Sequence, residues 1–293
     1  MSHQATGNAI PPRSRFLSSS ARRTDVAHAP DNLAARSLSA AATTCFSVLV
    51  AGQLVFAAYV VLFYGRAAMH GRLEDWNKVL PNGYVPGATL MNLMLGLHLA
   101  LAVVIFVGGA LQLLSPLRRR WPRFHRWNGR IYLATALVLS VGGTTMVWGR
   151  GAVGDLTQHV AITVNALLIL VFGGFALREA LARRFDAHRR WALRLYLAVA
   201  GVWFFRIGLM LWILVNRGPA GFDPDTFSGP ALSTLAFAQY LLPLAVLEGY
   251  FRVKATAAAA PRIVMTAVLA LLSLAVVAGI AAASMMLWLP RVS

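Results

Sequence analysis

Four histidines, His98, His125, His159 and His188, are the side chains of this sequence best suited to chemistry. Neutral imidazole ligates metals, and near neutral pH it passes protons. His98 and His159 fall in the second and fourth apolar runs, His125 and His188 just ahead of the third and fifth, and they pair by depth, His98 with His159 and His125 with His188. Two bis-histidine levels on alternating membrane helices are what two stacked b-type haems need, so haem b with these four as axial ligands is one expected cofactor. The outer level is uneven. At 1.5 Å per residue His98 lies about 12 Å below its helix end and His159 only about 3 Å. Arg206, in GVWFFRIGLMLW, has no acid within a helical turn. An arginine at that depth costs at least about 2.5 kcal/mol on insertion scales and calls for an anion. A haem propionate, a quinone-linked partner, a lipid phosphate or an anionic small molecule would serve. Asn165 and Gln239 share the depth of His98 and Arg206. The second, fourth, fifth and sixth runs, which carry these residues, therefore also predict a pocket for a lipid or small anion in the outer half of a membrane.

A second signal is a repeated motif. HRWNGRIYLA (125–134) and HRRWALRLYLA (188–198) align on Trp127 and Trp191. Each copy has arginine three residues on (Arg130, Arg194) and tyrosine five on (Tyr132, Tyr196). Snorkelling arginine and interfacial aromatics explain much of this without chemistry. Gly129 adds room for close helix contact.

The elements that must carry these residues are apolar runs long enough to cross a bilayer, about 20 residues each. Seven are present, at about 40–64, 90–114, 130–149, 157–178, 191–215, 231–250 and 262–289. With 58% hydrophobic and 13% charged residues, the 293-residue chain reads as an all-α polytopic integral membrane protein. Its expected core is four helices, the second to the fifth, as two hairpins at 90–149 and 157–215. Continuous runs exclude a β-barrel. Residues 1–38 are polar and read as a disordered basic tail, leaving 39–293 as the transmembrane domain.

The net charge of +17 is a matter of topology. Twenty of the 27 Lys and Arg residues fall in the N-terminal tail and the loops at 115–130, 178–194 and 251–262; six fall on the opposite side. That bias places the N-terminus in the cytoplasm and the C-terminus outside, in a bacterial inner (plasma) membrane. It assigns the basic charge to anionic lipid and excludes a nucleic-acid partner. The single cysteine, Cys45, permits no internal disulfide.

From GLHLA (96–100) through HRWNGRIYL to FFRIG (204–208) the chain resembles the DUF2306 family of predicted membrane proteins. His98, His125, Gly129, Arg130, His188, Trp191, Arg194 and Arg206 match that pattern, and His159 stands outside it. The resemblance implies a membrane protein and no particular activity. In outline the paired histidines are also similar to b561-type cytochromes. The expected function is therefore b-type haem or quinone-linked electron transfer, which would make the chain a membrane oxidoreductase. The alternatives are a transporter or lipid- or anion-binding protein, and a scaffold without ligand. No Ser-His-acid or H-E-x-x-H grouping supports hydrolysis.

Overall fold

The computed structural model describes residues 21–80, 82–150 and 154–292, with side chains from residue 32 onward except at 150. Residues 1–20 of the expected tail lie outside these. Among the described residues the structure is helical, with one isolated bridge between Asp223 and Ser228.

Helix α1 is Ala21–Val60, continued by a π-helical turn, Val61–Gly65, and a last turn, Arg66–Met69. It starts before residue 39, within the segment read from the sequence as a tail. Ala34 and Leu38, four residues apart, are buried, so an apolar face already exists there for the helix to pack. Next come α2 (Thr89–Leu113), α3 (Pro122–Arg150) and α4 (Leu156–Leu181). The fifth span is broken into α5 (Phe185–Val199) and α6 (Gly201–Asn216), bent by 49°. Helices α7 (Pro230–Ala255) and α8 (Ala259–Ala283) follow. Among the described residues six helices are long and apolar enough to cross a membrane unbroken, and the bent pair makes a seventh where it counts as one span. The chain is thus an all-helical polytopic membrane protein.

The bent span is the centre of the molecule. Ala198, Ala200 and Trp203 are almost fully buried. The other helices close a ring around it: α1 on α2, α2 on α3, α3 on α4, α4 on α7, α7 on α8, and α8 back on α1. Helix α4 packs along α5, and α6 along α8 and α7. At the end away from the basic loops, Phe56, Tyr59, Phe63, Tyr64, Trp76 and Trp288 form an aromatic cluster. Trp76, from the α1–α2 connection, donates its indole N–H to the Tyr64 carbonyl (3.2 Å).

Candidate functional site

At the basic end the two motif copies act as clasps. The Asn128 side-chain amide donates to the Gly108 carbonyl (2.8 Å) and to Gln112 Oε1 (2.9 Å), and Gln112 Nε2 lies 3.4 Å from His125 Nε2. A Cβ on Gly129 would come within 2.8 Å of that Gln112 nitrogen. His125, Asn128 and Gly129 thereby fasten α3 to α2. In the second copy His188 Nδ1 donates to the Ala176 carbonyl (2.8 Å), tying α5 to α4. Trp191 stacks on Phe175, ring centroids 4.6 Å apart. Arg194 makes a two-pronged contact with Glu248 of α7 (2.6 and 3.0 Å) and lies over the rings of Trp191 and Phe251. Arg130 lies over the neighbouring Trp127, 5.0 Å from the ring centre. His125 and His188 stand within electrostatic reach of each other.

The four polar residues of shared depth separate into two pairs. Asn165 and Gln239 meet at the break in the central span. Asn165 donates to the Ala198 carbonyl (3.2 Å), and a Cβ on Gly201 would lie 2.8 Å from Asn165 Nδ2 and 3.6 Å from Gln239 Oε1. A break inside the bilayer frees backbone groups that neighbouring helices must satisfy, and this amide does so. Both side-chain oxygens, Asn165 Oδ1 and Gln239 Oε1, are buried without a donor.

His98 and Arg206 lie across α6, since five residues beyond Gly201 turn the helix by about 140°. Arg206 donates to the Val202 carbonyl (3.2 Å) and lies 5.4 Å over Phe56. Among the described residues no carboxylate pairs with it. His98, Tyr59 and Tyr64 stand near it. His98 meets α3 at Gly143, 3.4 Å from where a Cβ would stand, whereas His159 meets it at Trp148. Those two contacts are again about 140° apart around the helix, so α3 stands between His98 and His159. Among the described residues no three His, Cys, Asp or Glu side chains are grouped to hold a metal ion.

A large open space lies elsewhere in the protein. Helices α1, α5–α6, α7 and α8 enclose a cleft of about 1150 Å³. Its mouth, at the basic end, is lined by Arg118, Arg189, Arg190 and Lys254, with Asp186 among them. Its body is apolar, with Phe204, Ile207, Leu242 and Leu269 in the walls, and it ends near Leu211 and Leu235. From Leu235 to Ala255 along α7 is about 30 Å, the thickness of the hydrocarbon core. Two sequence features shape it: the bend at Gly201 on one side, and Pro243 inside α7 on the other. Proline has no N–H, so the Gln239 carbonyl four residues back loses its usual helical donor. Of the expected pocket residues, Gln239 lines the cleft; His98, Asn165 and Arg206 do not. The remaining lining was invisible to sequence reasoning because single leucines and phenylalanines carry no signal. The one clue was the Arg189-Arg190 pair beside a proline-containing helix.

These features define a polytopic helical membrane protein with an intramembrane cleft. The chain belongs to the DUF2306 family of predicted membrane proteins, whose profile matches residues 95–242. That match begins in α2 and ends midway along α7, so it takes in Gln239 and the bend but not α1 or α8. No curated protein and no solved structure matches the chain.

Proposed function

We propose that this protein binds a lipid or lipid-like amphiphile in the cleft, as a carrier or transporter in a bacterial inner membrane with its basic face in the cytoplasm. The observation that supports it is the cleft itself, about 1150 Å³ of mainly apolar space running from a cationic mouth into the membrane. Ordinary small-molecule pockets are about 300–1,000 Å³, so the space suits a larger, greasy ligand. The test is thermal unfolding of the purified protein in detergent against a lipid panel. A ligand at 100 times its Kd stabilises the folded state by about 2.7 kcal/mol. Ala238→Trp, which fills the cleft, should abolish that stabilisation. No saturable shift with any lipid, or an undiminished one in Ala238→Trp, would overturn the reading.

A second reading, b-type haem held by His125 and His188, is favoured by one contact. His188 gives its Nδ1 proton to the Ala176 carbonyl, the arrangement that orients a histidine and leaves Nε2 for a metal. Gln112 faces His125 Nε2 and would have to turn away. Haem there would supply one-electron transfer, with a quinone as a fitting partner. A dithionite-reduced spectrum with an α band that His188→Ala removes would support it; protein expressed with ample haem and lacking the band would end it.

A further inference from the structure

We infer that the occupant of the cleft is a long-chain amphiphile with a phosphate head, the head held by Arg118, Arg189, Arg190 and Lys254. This rests on the lipid reading above and adds the chemistry of the ligand.

Charge is the first argument. Four cations from three separate segments converge on one mouth: the α2–α3 turn, the start of α5 and the end of α7. Asp186 is the only carboxylate in the lining, and among the described residues none of the four cations is ion-paired. Arg194, close by on α5, is already matched by Glu248. Arg190 and Lys254 rest on the rings of Phe251 and Tyr250, contacts that hold a cation in place without neutralising it. Ordinary positive-inside bias would scatter such residues around the rim. Arginine forks bind phosphate oxygens in pairs, and lysine adds a point charge.

Length is the second. A lipid of one leaflet spans half of the roughly 30 Å hydrocarbon core, but the cleft continues past the bend to Leu211 and Leu235. A chain that fills it must reach the opposite leaflet. The third argument is Gln239, 5% exposed, whose Oε1 lacks a donor within the lining. A buried acceptor left unpaired is unfavourable, and a hydroxyl or a water entering with the ligand satisfies it.

The experiment compares four probes on the purified full chain in neutral detergent: hexadecyl phosphate, hexadecanol, butyl phosphate and inorganic phosphate. Hexadecyl phosphate should bind at least about tenfold more tightly than each of the others, and more weakly as salt rises. Arg118→Gln and Arg189→Gln should each weaken hexadecyl phosphate about tenfold and leave hexadecanol unchanged. Asp186→Asn should tighten it, a gain that a misfolded variant cannot imitate. If hexadecanol binds as tightly as its phosphate, the head assignment fails while the lipid reading stands. If butyl or inorganic phosphate matches hexadecyl phosphate, the site is one for free phosphate and the long-chain inference fails. If no probe binds, the lipid reading falls as well.

Discussion

Tyr132 and Tyr196, the tyrosines five residues after each motif tryptophan, meet on Gly109 of α2. A Cβ at Gly109 would stand 3.0 Å from the Tyr132 ring and 3.3 Å from the Tyr196 ring. Tyr196 also donates its hydroxyl to Gln53 Oε1 of α1 (2.9 Å). The repeat therefore brings α1, α2, α3 and α5 to one crossing, where each copy contributes the same ring.

Enlarging Gly109 should wedge that crossing apart. Overpacking a close-packed interior typically costs about 1–3 kcal/mol, so Gly109→Val should lower the thermal midpoint in detergent. Tyr196→Phe should cost about 1 kcal/mol, because Gln53 Oε1 is left buried without its donor. A Gly109→Val protein as stable as the parent would mean the rings are not in close contact.

The Arg194–Glu248 bridge offers a second check. Its side chains are 18% and 38% exposed, so water screens part of the attraction. Arg194→Gln should cost about 1 kcal/mol, and adding Glu248→Gln should recover part of that loss in a double-mutant cycle. Arg194→Lys should not restore it, since an ammonium cannot make the two-pronged contact or stack between two rings. Arg130 has no carboxylate partner among the described residues, so Arg130→Gln should be near neutral by the same measurement.

How much of this was legible in the sequence depends on the kind of information. Spans announce themselves through continuous hydropathy, and the seven runs reappear among the described residues as six long helices and one bent pair. The break before Gly201 does not, because a lone glycine in LAVAGVWFF breaks no helix by itself. What the sequence hides is the surroundings of the break, where Asn165 donates to the Ala198 carbonyl and Gln239 packs near Gly201. Depth was readable too, by counting residues: His98, Asn165, Arg206 and Gln239 all lie well inside their spans. Azimuth was not, since an uncertainty of one residue turns a side chain by about 100°, and a 49° bend adds its own rotation. That is why residues of one depth parted into two pairs on opposite faces of α6. The repeat was visible as letters, but its work as a pair of helix clasps needed Gln112 and Ala176, which lie outside both copies.

Topology can be checked without any ligand. Twenty of the 27 basic residues fall in the N-terminal tail and the loops at 115–130, 178–194 and 251–262, so the positive-inside rule predicts that the 115–130 loop faces the cytoplasm. In a Cys45→Ser background, Glu74→Cys in whole cells should react with a membrane-impermeant maleimide. Arg119→Cys should react only after permeabilisation. The opposite pattern would invert the orientation and put the mouth of the cleft outside.

The bend gives the sharpest test of local packing, because one substitution should change sign with its background. In the native chain Gly201→Ala drives a methyl group to within 2.8 Å of Asn165 Nδ2. That displaces the amide from the Ala198 carbonyl it now satisfies. Interhelical hydrogen bonds of this kind contribute about 0.6 kcal/mol on average and up to about 1.7, so Gly201→Ala should be destabilising by about 1 kcal/mol. Asn165→Ala should cost a similar amount by removing the same bond. In the Asn165→Ala protein, however, the obstructing amide is gone. Alanine then brings only its better helix propensity, up to about 1 kcal/mol over glycine. Gly201→Ala should be neutral or stabilising there, measured by thermal unfolding of all four proteins. Additive losses in the double variant would mean that the bend is held by something other than Asn165.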